Sequence, residues 1–445
     1  MVMGMGKQVF WKSDWFFGLA ISLLVLVLGN GDLLQSLERK AYDVGVSLSS
    51  QKPNDRIAVI AIDKQSIDNI GRWPWSREIQ AEMVDKLAAA RARVIATTVF
   101  YSEPQLDPGL AYINRLLEIY GKAEGERVPP VAPVVAPPVA PADSAAAAAV
   151  SPMQQMGAVL AEAENRLNTD RRLAESLARA GNVVLPVLFR LGEPMGRPDH
   201  ALPDYLGNFA IQAESGKALP IPAADTDALV IEPLGKVAGA IGQLNSTPDV
   251  DGAIRSEPLV VRYFDQLFPS LSLMIAARSL NLGVDDIHVA LGRQVRLGKL
   301  KIGTDEYTRM NPFFYRDGAN GPAFQVDSFF DVRSGKIPPE KYRDKIVLIG
   351  PTAAGVGSVH PTPVSPAMPD VLVLAHDVSS LLSEHFFVVP DWAFWAEKAA
   401  WLVVALYLIA VLPRLKAGMG ASITAALLLL LLGGHFFLMT TQLLW

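Results

Sequence analysis

The chain has no cysteine. That excludes disulfides, thiolate metal sites and cysteine nucleophiles, and it is compatible with a periplasmic domain that folds without oxidation. Strong charge is also lacking: a net charge of −5 over 445 residues gives no reason to expect a nucleic-acid partner. No Ser-His-Asp arrangement, metal-ligand cluster or nucleophile motif stands at a recognisable spacing, which disfavours an enzyme and gives no ground for a cofactor. What the chain has in excess is apolar residues. They make up half of it and are concentrated in stretches, which points to a membrane protein.

Residues 15–34 form the first such stretch, close to the ~20 residues needed to span a bilayer. An uncleaved transmembrane helix is favoured over a signal peptide, because no small-x-small cleavage site follows Leu28 and Trp15, Phe16 and Phe17 resemble an interfacial anchor. Lys7 and Lys12 precede it and place the N-terminus in the cytoplasm. Residues 33–48 read as an amphipathic continuation. Two further spans, residues 392–412 and 421–444, are joined by the short basic loop Pro413-Arg414-Leu415-Lys416, which the positive-inside rule also puts in the cytoplasm. Both charge counts place residues 35–390 outside the cytoplasm.

Between the spans the pattern is α/β. Residues 56–104 read as strand, turn, helix, strand. The apolar run 57–62 suits a buried parallel strand, Ser76 caps a helix over 77–91, and 94–101 is a second strand, forming a parallel pair with the first by a right-handed crossover. The turn between them carries Asp63, Trp73, Pro74, Trp75 and Arg77 at the carboxyl edge of the sheet, where open α/β sheets bind ligands. Either the tryptophans close the core, or one of them lines a pocket with Asp63 and Arg77.

Further on, helices are expected over 105–120 and 153–180, and a strand over 182–189. The Pro/Ala-rich insertion 124–152 should be a solvated, semi-extended loop. Residues 191–230 read as irregular. Asp249-Val250-Asp251-Gly252 is a turn whose spacing fails a calcium loop, and 253–264 is a hairpin strand followed by a helix over 269–280. Residues 344–350 form another buried parallel strand. The turn after it, Pro351 to Gly355, presents backbone amides suited to an anion, without the lysine and spacing of a P-loop. A helix over 371–386 follows.

The run ID-x-x-S-x-x-x-x-G-R-W-P-W-x-R, carried by Asp63, Ser66, Gly71, Arg72, Trp73, Pro74, Trp75 and Arg77, resembles the signature of the CHASE type 2 domain, a sensory extracellular domain of bacterial cyclases and histidine kinases. The later D-x-D-G-x-x-R run at Asp249–Arg255 and the helix after it are similar to the family's middle section. The resemblance covers about residues 33–385. It implies a mixed, largely parallel sheet with flanking helices in an extracytoplasmic domain, one transmembrane helix before it and helices after it, coupled to a cytoplasmic cyclase or kinase. Family members typically continue through a third C-terminal span into that effector, so here it is expected on a truncated part or a separate partner chain. The chain departs from the family's polar pattern at Thr98, at Gly357–His360 and at Asp370–Ala375. A lone histidine, His376, stands near the last of these and reads as structural. The candidate ligand site is Asp63, Trp73, Trp75, Arg77, Glu103, Thr352, His360 and Thr362. Two functions stay open: a sensor of an unknown small molecule or protein, working as a homodimer or with a membrane partner, or a membrane scaffold that keeps the fold with a degenerate site.

Overall fold

Short apolar, β-branched runs nucleate the centre of the fold, and the helices between them cover its two faces. The computed structural model describes residues 14–28, 31–105, 107–125, 152–196, 201–216, 220–318 and 321–445. Most of the Pro/Ala-rich stretch 124–152 therefore lies outside the described residues.

The chain opens with α1 (Asp14–Leu28) and α2 (Asp32–Leu48). Then come β1 (Ile57–Ile62), α3 (Lys64–Ile70), α4 (Arg77–Ala89) and β2 (Val94–Thr97). Three helices, α5 (Pro108–Gly125), α6 (Pro152–Leu167) and α7 (Thr169–Ala180), precede the long β3 (Val183–Leu191). The middle holds α8 (Asp204–Gly207), β4 (Ala213–Ser215), β5 (Ile221–Ala228), α9 (Glu232–Gly235) and β6 (Ala240–Gln243). It continues with β7 (Glu257–Pro258), β8 (Val260–Tyr263), β9 (Gln266–Pro269) and α10 (Leu271–Ser279). A meander of β10 (Ile287–Ala290), β11 (Gln294–Leu297) and β12 (Leu300–Gly303) leads to β13 (Arg309–Pro312), β14 (Gln325–Ser328), α11 (Phe329–Arg333) and β15 (Ile346–Pro351). The hairpin β16 (Val359–Thr362) and β17 (Ser365–Pro369), then α12 (Asp370–Ser383) and β18 (Phe386–Phe387), close the domain. The apolar helices α13 (Ala393–Leu406) and α14 (Ala417–Gln442) follow.

Among the described residues the main sheet has nine strands, in the order β14-β1-β15-β2-β3-β5-β8-β9, with β6 also on β3. From β14 to β3 and β6 all pairs are parallel. β3 then changes partner along its length. Val184–Val187 pair with β6 in parallel, and Leu188–Leu191 pair with β5 antiparallel. The expected β1–β2 pair is not adjacent: β15, which arrives last in sequence, inserts between them. Its first five residues are buried, as a central parallel strand requires.

The period of two divides these strands between two cores. Ile57 and Val59 of β1, with Ile346 and Leu348 of β15, face the side covered by α10 and α12. Ala58, Ile60 and Ile62, with Val347 and Ile349, join the cluster under α4 and α7 on the other side. Gly350 at the end of β15 has to be glycine: a β-carbon there would lie 2.3 Å from Thr98 Oγ1 and 2.7 Å from Val371 Cβ.

Several local readings change. The break after β1 contains a further helix, α3, because the Asp63 side chain accepts from Ser66 N and caps it. The single helix expected over 153–180 is two. Asn168 interrupts it and caps α7 by accepting from Arg171 N. The strand expected to reach residue 101 ends at Thr97, and the stretch taken as irregular holds β4 and β5.

Two helical stretches, Ala393–Arg414 and Ala417–Gln442, are long and apolar enough to cross a membrane. Among the described residues of the N-terminal stretch, α1 covers 15 positions, and α2 is a separate amphipathic helix. At 1.5 Å per residue α1 spans roughly 22 Å. It packs on α13, where Trp401 Nε1 donates to Ser22 O at 3.3 Å. It also touches the turn that extends α13, where a β-carbon on Gly18 would meet Leu408 O at 2.5 Å. α2 packs on α14, with Gly45 against Met439 and Tyr42 edge-on to Trp445 at 5.0 Å.

Candidate functional site

The carboxyl ends of β2, β3, β6 and β15 leave two adjoining clefts that share Phe100, Ser358 and Asp370. The first, of about 530 Å³, is lined by Trp73, Trp75, Arg77 and Glu103. The structure thus brings together four of the residues expected at this edge.

Their chemistry is largely committed to the fold. Trp75 is 3% exposed, donates Nε1–H to Gly71 O at 2.8 Å, and packs on Phe329 with ring centroids 4.9 Å apart. Trp73 is half-buried and meets it edge-on. Arg77, a cation at a helix start, has its carboxylate partner in Asp170 of α7 at 3.4 Å, not in Asp63. Its guanidinium also lies over the Tyr101 ring at 4.6 Å and donates to the Glu103 carbonyl at 3.3 Å. Asp63 is spent inward: Oδ1 accepts from Ser66 N, Ser66 Oγ and Ser328 Oγ at 2.8, 2.6 and 2.9 Å, tying α3 to the end of β14.

Thr352 and Thr362 line neither cleft. The amides of Thr352 and Ala353 both donate to Ile62 O, at 3.1 and 3.2 Å, so the turn after β15 does not hold them free for an anion. Thr362 Oγ1 accepts from Ser365 N and donates to Ser365 O, closing the β16–β17 turn. His360 does reach a cleft, the second one, where its Nε2 pairs with Asp370 at 2.9 Å. His376 is a core residue, 2% exposed. Its Nδ1 accepts from Tyr315 N at 3.0 Å, and burial pushes its pKa down to about 3.

The second cleft, about 380 Å³, was not visible in the sequence. Its walls are apolar, with Leu188, Leu244, Val373 and Leu374, and its lining includes four acids, of which Asp227 and Asp370 are paired with Arg190 and His360, and Glu257 and Asp377 are in no ion pair among the described residues. Asp377 is 5% exposed, and its Oδ1 has no hydrogen-bond partner. Glu257 Oε1 accepts from Ser272 Oγ, while Oε2 is buried and unpartnered. Burial pushes the Glu257 carboxyl up to about 7. It also pushes Asp377 well above the usual carboxylate range, with the Glu257 charge adding to the effect. No sequence signal marks these two residues, because they stand 120 positions apart on a two-residue strand and a helix.

Two residues before Glu257 in the chain, Arg255 points elsewhere. It takes both oxygens of Asp43 on α2 at 2.8 Å, both oxygens of Asp251 at 2.9 Å, and Asp249 at 2.7 Å. The carboxylates of the D-x-D-G turn thus serve an arginine that holds α2.

These raised carboxyls fix a pH dependence. The folded state keeps protons that the unfolded chain releases, so their contribution is complete below the unfolded carboxyl pKa and is lost as pH rises through about 7. Relative to wild type, Glu257→Gln should gain melting temperature steadily from about pH 5 to about pH 8. A difference that does not vary with pH in thermal melts would show that Glu257 is ionised throughout. The depressed pKa of His376 acts in the opposite sense below its ordinary value of 6.5, but it is common to both proteins and cancels in the comparison.

No curated protein and no solved structure matches the chain. The CHASE2 domain model matches residues 19–412, which takes in the sheet, both clefts and α13. The chain therefore belongs to the CHASE2 domain family, a family of extracellular sensory domains.

Proposed function

We propose that the chain is the sensor module of a signalling system in the bacterial inner membrane, with its α/β domain on the extracytoplasmic side. A small molecule enters the acidic cleft at the carboxyl edge of the sheet. Its binding shifts α2 and the membrane helices and biases a cytoplasmic cyclase or kinase in a homodimer or a partner assembly. No catalytic role is assigned to any residue of the chain. The observation that carries this reading is the alternation along one short stretch. Ile254, Ser256 and Glu257 line the cleft, while Arg255 between them grips Asp43 of α2. α2 in turn packs on α14, so a change in the cleft wall has a contiguous route to the membrane.

The scaffold reading takes its support from Asp63, Arg77 and Thr362, whose side chains are engaged within the fold. The acidic cleft, with buried polar atoms left unpartnered in its lining residues, favours the sensor. The test uses the full chain in nanodiscs and a panel of amines, carboxylates, sugars and nucleosides at millimolar concentration. At least one compound should raise the melting temperature and slow hydrogen exchange in α2, and Ser246→Trp, placed at the exposed rim of the cleft, should abolish both effects. If no compound acts, or if the effect survives Ser246→Trp, the reading fails.

A further inference from the structure

The lining of the acidic cleft includes Glu257 and Asp377, each with one buried carboxylate oxygen that lacks a partner, and its two cations, Arg190 and His360, are already paired. Glu257 Oε2 and Asp377 Oδ1 have no hydrogen-bond partner, and among the described residues neither acid joins an ion pair. The cations nearby are committed. Arg190 is held by Asp225 at 3.6 Å and Asp227 at 2.6 Å, and His360 by Asp370. Arg255 faces away, towards its three aspartates.

A buried carboxyl without a donor is costly, and it is relieved by a group that brings both N–H donors and positive charge. Resting on the sensor reading of this cleft, we infer that its ligand is a small organic cation, an ammonium or guanidinium head on an apolar body, with Glu257 and Asp377 receiving the head. The rest of the lining fits the second half of that description. Phe100, Leu188, Leu244, Val373 and Leu374 give the cleft apolar walls, and about 380 Å³ lies at the small end of ligand sites.

Other ligand classes fit less well. An anion would meet Glu257, Asp377, Asp370 and Asp227. A neutral molecule brings no charge that would hold Glu257 and Asp377 as ionised carboxylates. A divalent metal wants about six oxygens, and no group of three His, Cys, Asp or Glu suited to a metal occurs among the described residues. An ammonium brings three donors to two open acceptors and leaves one for the Gln243, Asn245 or Ser256 side of the cleft.

The test is calorimetric titration of the full chain in nanodiscs with hexylamine and phenethylamine. Hexanol, hexanoate, tetramethylammonium and calcium chloride are the comparisons. At least one of the two amines should bind, and the comparison compounds should not. Asp377→Asn and Glu257→Gln should each weaken amine binding at least about tenfold, equivalent to 1.4 kcal/mol. Both variants replace a carboxyl that holds a buried oxygen without a partner, so their melting temperatures should not fall below that of the wild type. Amine binding unchanged in both variants would overturn the assignment, as would a preference for hexanol, hexanoate or calcium. A neutral or anionic compound whose binding is lost in Ser246→Trp would sink the cation assignment and leave the sensor reading standing. If nothing in either panel binds, both fall.

Discussion

Arg255→Met is expected to lower the stability of the domain by roughly 3 kcal/mol, the low end for removing one partner of a buried ion pair. The arginine side chain is 9% exposed, and losing it leaves Asp43, Asp249 and Asp251 facing one another. Those carboxylates are 29%, 32% and 43% exposed, so water screens part of their repulsion, which is why the low end applies. A second effect separates this from ordinary destabilisation. Asp43 lies on α2, and the arginine is what ties that helix to the wall of the acidic cleft. Hydrogen exchange in α2 should rise in Arg255→Met by more than exchange in α4, on the far face of the sheet. Arg255→Lys should fall between, because an ammonium cannot take two carboxylates in forked geometry while reaching a third. The arginine also holds Asp251 down, to about pKa 2, by direct hydrogen bonding. That carboxylate's contribution is present above its unfolded pKa and is lost as pH falls through about 2. Its loss adds to the deficit at neutral pH and not in strong acid. Equal melting curves for Arg255→Met and wild type at neutral pH would remove the clasp from the account of signalling.

Trp75→Ala should cost 3–5 kcal/mol, the range for emptying a buried tryptophan site, and the protein should accumulate poorly. The ring is enclosed by Phe329 and Trp73, and its N–H is bonded to the Gly71 carbonyl, so substitution opens a cavity and strands an acceptor. Trp75→Phe keeps most of the volume and should retain more than half of the lost stability. Trp73, only half-buried, should tolerate alanine with about 1–2 kcal/mol of loss, in proportion to the smaller area covered. Expression level and thermal melts of the three variants decide the matter. A Trp73→Ala variant more damaged than Trp75→Ala would mean that the exposed ring, not the enclosed one, carries the packing.

These two residues illustrate different kinds of legibility. The tryptophan pair stands in a motif that the chain displays within fifteen positions, and a reader of the sequence can place it at the end of a strand. Arg255 and Asp43 are 212 residues apart, and nothing in either segment names the other. The same division runs through the protein. Apolar length marked the two C-terminal helices long enough to cross a membrane, and β-branched runs marked β1 and β15, because these signals are local and periodic. Capping chemistry also wrote itself locally, at Ser76 and, less obviously, at Asp63 and Asn168.

Strand order was not local. Nothing in residues 57–62 or 94–97 says that a strand arriving some 250 positions later will lie between them, since a strand buried on both faces is equally apolar beside any neighbour. The partner of Arg77 was likewise decided by packing. A cation at a helix start called for a carboxylate, and the docking of α7 on α4 supplied Asp170 in place of the nearer-in-sequence Asp63. The acidic cleft belongs wholly to the tertiary structure. Glu257 and Asp377 are ordinary acids in their own segments. Only the meeting of β7 with α12, under the ends of β3 and β6, removes them from water and places both residues in the lining of an apolar-walled cleft.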